Sequence, residues 1–143
     1  MDLSQALQMA SRTDAGMVRS HNEDAVFSNA VLGLAILADG MGGYNAGEVA
    51  SGMATTLLGS ELEKAFQKTA PHQLDASGKL YSHSVLEAEI ARANTAIYQA
   101  AQSQPQYAGM GTTLVVTLFY DNMMTVAHIG DSRLYRLRGD EFQ

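Results

Sequence analysis

Asp39 stands at the end of a short apolar run, Gly33-Leu34-Ala35-Ile36-Leu37-Ala38, and is followed at once by Gly40-Met41-Gly42-Gly43. Upstream lies a second acidic cluster, Asn22-Glu23-Asp24. The apolar run has the length of a buried strand. The glycines after it let the backbone turn tightly and leave carbonyls and amides uncovered. A carboxylate beside a bare carbonyl at a strand end offers hard oxygen ligands, the kind that hold Mg²⁺ or Mn²⁺. A solvated surface loop would read much as residues 17–24 do, so the metal reading needs Glu23 and Asp24 to reach Asp39 in space.

The flanking elements suggest how they could. Residues 25–28 read as a strand, with a turn near Asn29 before the apolar run. Pairing the two as a hairpin brings Glu23 and Asp24 level with Asp39. Residues 7–13 alternate apolar and polar and suit a half-buried strand ended by Asp14-Ala15-Gly16. From Ala46 to about Lys68, Val49, Met53, Leu57, Leu58, Leu62, Ala65 and Phe66 recur at helical steps and predict an amphipathic helix buried on that stripe. Pro71 and the polar stretch to Gly78 break it. A second helix is predicted from about Ser84 to Ala101, with Leu86, Ile90, Ala93, Ile97 and Ala100 inward, then a polar loop around Pro105. Met53 and Met110 read as core fillers.

The remainder is strand-like. Residues 112–120 are rich in β-branched and aromatic types, Asp121-Asn122 suits a two-residue turn, and residues 124–129 form the return strand. Gly130-Asp131-Ser132 turns the chain into residues 133–137, and Gly139-Asp140 begins another turn. Strands, two helices, then strands again imply an α+β domain in which antiparallel strands carry helices on an outer face.

The 143 residues suffice for one domain with a sizeable core. With 46% apolar and 17% charged residues, the composition is that of a soluble globular protein. A net charge of −6 without a Lys/Arg cluster argues against nucleic acid or an anionic membrane surface as partner. The absence of cysteine excludes thiolate metal sites and Cys nucleophiles. The amino terminus lacks the pattern of a signal peptide, and no run approaches the ~20 apolar residues of a membrane span. The expected location is cytoplasmic.

Four separated segments then match one pattern: Arg19-x-x-Asn22-Glu23-Asp24; Ala38-Asp39-Gly40-Met41-Gly42-Gly43 with Gly47-Glu48-Val49-Ala50; Gly111-Thr112-Thr113; and Gly130-Asp131-Ser132-Arg133. In this order and spacing the chain resembles the metal-dependent protein serine/threonine phosphatases, the PPM or type 2C phosphatases, in their bacterial form. The resemblance implies an antiparallel β-sandwich flanked by helices, an αββα four-layer architecture, with a binuclear Mn²⁺ or Mg²⁺ centre where the sheets meet. It implies that Asp39 bridges both metals and that the Gly40 carbonyl ligates the second. Glu23 would reach that metal largely through water, with Asp24 supporting it. Arg19 would bind the substrate phosphate, and Asp131 would serve a third, weaker metal site. Ser132 and Arg133 are expected to be structural, as a turn residue and a salt-bridge partner. The implied substrates are phosphoserine and phosphothreonine proteins, the products of serine/threonine kinases.

The chain departs from the family in two places. Some relatives carry a histidine after the Asp-Gly pair, where Met41 stands here and cannot donate a proton; His21 and His128 are expected to be structural. The family's catalytic domain also runs past this length, and its later half supplies further metal-binding aspartates. Residues 1–143 are therefore expected to be the N-terminal part of a single domain and incomplete as a sandwich. Weakened or absent metal binding, an apolar face in need of cover and self-association through an open strand edge would follow. Two function classes remain: a metal-dependent phosphatase, or a truncated non-catalytic module that binds a phosphoprotein or partner chain. Nucleotide binding at the glycine turn fails, because no Gly-Lys-Ser/Thr follows Gly42-Gly43.

Overall fold

A computed structural model describes residues 2–43 and 45–143. In chain order the elements are β1 (Asp24–Asn29), β2 (Leu34–Met41), α1 (Ala46–Lys68), α2 (Tyr81–Ser103), a 3₁₀ turn (Pro105–Tyr107), β3 (Gly111–Thr112), β4 (Leu114–Tyr120), β5 (Met123–Ile129), β6 (Leu137–Arg138) and β7 (Glu141–Phe142). β1, β2, β4 and β5 form an antiparallel sheet in that spatial order, with β3 extending the pairing of β2, and β6–β7 make a separate small ribbon. Both helices lie on one face of the large sheet. The layers are those of an α+β domain and fit an incomplete sandwich.

The core is built where α1 and α2 cross the middle of the sheet. Leu34 and Ile36 of β2, Leu114, Val116 and Leu118 of β4, Leu58, Leu62 and Phe66 of α1, and Leu86 of α2 are all buried there. Each such side chain contributes roughly 1.5–3 kcal/mol on leaving water. A second, smaller cluster lies behind the far end of β2: Ala38, Ala46, Ala50, Ala54, Ile97, Ala101 and Met110.

The predicted hairpin of β1 and β2 forms, α1 has the expected bounds, and α2 begins three residues earlier, at Tyr81. Asp121 takes the left-handed conformation in the tight turn between β4 and β5. Several expectations fail, each for a physical reason. β2 is not buried on both sides: Leu34, Ile36, Ala38 and Gly40 face the helices, while Leu37, Asp39 and Met41 face the open side. The buried stripe of α1 is rotated toward its small residues, Gly47, Ala50, Ser51, Ala54 and Gly59, leaving Leu57 exposed. Close approach to the sheet selects this face: a Cβ at Gly59 would sit 3.0 Å from the Phe27 ring. Residues 7–13 join no strand, since no neighbouring strand edge hydrogen-bonds with them; residues 8–12 line a groove over the open face of the sheet with Leu37 and Val115. Residues 133–136 likewise form no strand in the large sheet. Among the described residues no helix is long and apolar enough to cross a membrane.

Candidate metal and phosphate site

The register of the first hairpin decides the site. Asp24 lies directly opposite Asp39, so both side chains leave the sheet on the face away from the helices. Glu23, one residue before the ladder, is held in its turn: its carbonyl accepts hydrogen bonds from the Gly40 amide (3.0 Å) and from the Ser51 hydroxyl of α1 (2.6 Å). Its carboxylate, 11% exposed, lies against α1. A Cβ at Gly47 would stand 2.7 Å from Glu23 Oε1, and a Cβ at Gly40 would stand 2.0 Å from the Gly47 carbonyl oxygen. Glycine is needed at both positions because strand, helix and acidic loop meet there.

Arg19 completes the group. Its Nη1 lies 3.3 Å from Glu23 Oε2, while most of the guanidinium remains in solvent. His21 is engaged on both sides, with Nδ1 3.1 Å from the Ser20 hydroxyl and Nε2 3.8 Å from Glu23 Oε1. Together with Asp14, Asn22, Asp24, Asp39, Gly40 and Met41 these residues line an open cavity of about 530 Å³. The cavity walls are mostly charged and polar, with Ala15 and Met41 the apolar exceptions.

Its electrostatics are unbalanced. Arg19 pairs with Glu23, which leaves Asp24 and Asp39 facing one another. The Asp24 carboxyl is raised above the ordinary aspartate value, first by partial burial and then by the charge of Asp39 and a hydrogen bond to it; Arg19 pulls the other way. Like charges in direct cross-strand register repel. Asp39, with Asp24 set against it and with Glu23 and the side-chain-free backbone at Gly40 in the same cavity, belongs to a group of hard oxygens that suits a divalent cation. Mg²⁺ is commonly bound by one or two carboxylates and keeps several waters. Among the described residues no three His, Asp or Glu side chains converge into a fuller ligand set.

Of the residues singled out from sequence, the structure brings together Arg19, Glu23, Asp24, Asp39 and Gly40. Asp131 does not line this cavity; it is exposed in the turn after β5. His128 is exposed on β5, and Arg133 makes no ion pair among the described residues, bonding instead to the Tyr135 hydroxyl at 3.2 Å. Ser51, which frames the site, was missed, and Thr113, though part of a motif segment, was given no role at Asp39, whose amide its hydroxyl accepts. The signal for Ser51 was its place one helical turn after Gly47, on the same face.

The sequence pattern of the family described as Protein phosphatase 2C matches residues 15–143. The chain belongs to this family. It is 41% identical over 135 residues to the serine/threonine protein phosphatase PstP of Mycobacterium tuberculosis, covering 94% of this chain and 24% of that protein. It is 40% identical over 139 residues to the protein phosphatase PhpP of Streptococcus pneumoniae, covering 95% of this chain and 52% of that one. Among solved structures, that of Mycobacterium tuberculosis PstP superposes with a TM-score of 0.77 at 38% identity, over 94% of this chain and 51% of that one. The PstP catalytic domain in complex with two manganese ions superposes with a TM-score of 0.76 at 39% identity, over 93% and 52% of the two chains. This protein phosphatase 2C chain thus spans about half the length of PhpP and of the solved PstP chains, and 24% of full PstP.

Proposed function

We propose that this chain belongs to a protein serine/threonine phosphatase that removes phosphate from phosphoserine and phosphothreonine with the help of Mn²⁺ or Mg²⁺. The observation that carries the reading is the direct opposition of Asp24 and Asp39, in one cavity with Glu23 and the Arg19 guanidinium. Divalent ions bound there would supply charge neutralisation and a water made nucleophilic near neutral pH. Asp39, Glu23 and the Gly40 backbone are the groups that would hold them, with Asp24 supporting. Asp131 is assigned to a further ion. The two manganese ions of the PstP complex support a divalent-metal reading by analogy.

The chain's own residues divide the remaining work. Arg19 presents a planar fork that can meet two phosphoryl oxygens with parallel N–H bonds. Glu23 steadies that fork through its 3.3 Å contact. Met41 provides no proton for the leaving group, and His21 is held by Ser20 and Glu23. Phosphorylated proteins are the proposed substrates, supported by the names of PstP and PhpP.

The test is hydrolysis of an aryl phosphate and of a phosphothreonine peptide by this chain. Turnover should require Mn²⁺ or Mg²⁺, stop with chelator, and fall to background in Asp39→Ala. Hydrolysis that survives both treatments would sink the reading. A second reading, a non-catalytic module that binds phosphoprotein, is favoured by the lack of a three-residue ligand set among the described residues. It predicts phosphopeptide binding that needs Arg19, no turnover, and no tight ion in calorimetry.

A further inference from the structure

The ladder between β2 and β4 is regular until it reaches Asp39. Leu37 opposes Val115 and Gly40 opposes Thr112, which puts Thr113 opposite Asp39. Hydrogen-bonded pairs alternate along an antiparallel ladder, and each exchanges two backbone bonds. Phe119 donates to the Gly33 carbonyl (2.8 Å), so the alternation makes Asp39 and Thr113 such a pair. Only half of the exchange is present. The Thr113 amide donates to the Asp39 carbonyl at 2.9 Å, but the Asp39 amide donates to the Thr113 hydroxyl, Oγ1, at 3.1 Å. The Thr113 carbonyl faces the Thr112 hydroxyl instead, which lies 2.9 Å from it and 3.1 Å from the Asp39 carbonyl and can donate to either.

A side-chain acceptor has replaced a backbone one at the residue on which the site depends. That same hydroxyl lies 2.7 Å from the Ser132 hydroxyl. Ser132 follows Asp131 in the turn after β5, and this turn is pressed onto Thr113: Gly130 is left-handed (φ +91°), and a Cβ there would sit 2.9 Å from Thr113 Cγ2. One hydroxyl pair therefore connects the backbone of Asp39 to the turn that carries Asp131.

We propose that Thr113 and Ser132 are positioning residues. Their shared hydrogen bond fixes the Asp39 backbone and ties the Asp131 turn to it, so that the two acidic groups are held in one frame. The purpose of this frame rests on the phosphatase reading; its existence does not.

The experiment is amide-resolved hydrogen exchange on the metal-free chain, joined to Mn²⁺ titration by calorimetry. Thr113→Val keeps the shape and removes the hydroxyl, and should speed exchange at the Asp39 amide by roughly threefold to tenfold. Thr113→Ser restores the hydroxyl and should return the exchange to within a factor of about two. Ser132→Ala should speed Asp39 exchange only when Thr113 keeps its hydroxyl, so the double variant should look like Thr113→Val alone. Mn²⁺ affinity should fall about 10- to 100-fold in Thr113→Val and Ser132→Ala and recover in Thr113→Ser. Unchanged Asp39 exchange in Thr113→Val, additive effects in the double variant, or exchange lost with Mn²⁺ affinity intact would each overturn the proposal. A chain that binds no Mn²⁺ in any form would instead count against the phosphatase reading, and the exchange results would still decide the hydroxyl bridge.

Discussion

The two ends of the helix–sheet layer are packed by different rules. At one end Leu34, Leu58, Leu62, Phe66 and Leu118 fill the space with large side chains. At the other, Ala38, Gly40, Ala46, Gly47, Ala50 and Ala54 bring backbone close to backbone. The large-residue end supplies most of the apolar burial, and the small-residue end supplies position. There α1 comes near enough for Ser51 and Gly47 to touch Glu23, which lies outside the sheet altogether. Stability and site geometry are thus drawn from one pair of elements, along different parts of their length.

The comparison can be broken at either end. The largest effect on stability is expected from Leu62→Ala, which opens a cavity at a fully buried position and should cost about 2–5 kcal/mol, read from urea or thermal unfolding. Once folded, this variant should bind Mn²⁺ as the parent chain does. Gly40→Ala attacks the other end: a methyl at 2.0 Å from the Gly47 carbonyl oxygen must push α1 away from β2. On the proposed phosphatase reading, metal-dependent turnover should fall by on the order of 10²-fold, the size expected of a misplacement near 1 Å. Hydrogen exchange around Leu118 should change little; a uniform loss of protection would show that the two ends are not separable.

A milder change sharpens the contrast. Ser51→Ala deletes one donor to the Glu23 carbonyl and leaves the Gly40 amide as the other. The expected cost is about 1 kcal/mol in unfolding, accompanied by weaker Mn²⁺ binding in calorimetry. The smallest effect is a pH dependence. Because the Asp24 carboxyl is raised in the folded state, the unfolded chain gives up that proton first, and stability falls as pH rises from the ordinary aspartate range through the folded value. The urea midpoint of Asp24→Asn should therefore gain on the parent chain over that interval, and saturating Mn²⁺ should abolish the gain. Asp75, lowered by hydrogen bonds from Ser77 and Ser84, contributes the opposite sign, but equally in both chains.

The large-residue end was the more legible in sequence. Leucines and phenylalanine at helical steps placed α1, and the apolar run placed β2. The hairpin brought Asp24 opposite Asp39 because turn chemistry and strand length agree there. The small-residue end was misread in part: ranking residues by hydrophobicity put Leu57 inward, whereas close approach to β2 turns Ala50, Ser51 and Ala54 toward the sheet and leaves Leu57 exposed. Val49 and Met53 pack, half-buried, against that cluster as expected. Leu37 made β2 look buried on both sides, though that residue is 41% exposed. Residues 7–13 carried the alternation of a strand without a neighbour to pair with. The ion pair expected of Arg133 is replaced by a bond to Tyr135. Thr113 was invisible as a partner of Asp39, because spacing along the chain does not reveal which hydroxyl takes over a ladder bond.

The face-to-face placement of Asp24 and Asp39 imposes an arithmetic on the first hairpin. Side chains alternate sides at every step along a strand, so adding or deleting a single residue within either strand would send one of the two acids to the helix side, unless a bulge absorbed the change. Length variation inside these strands is therefore tolerated only in even steps, and odd changes are confined to the turn between them.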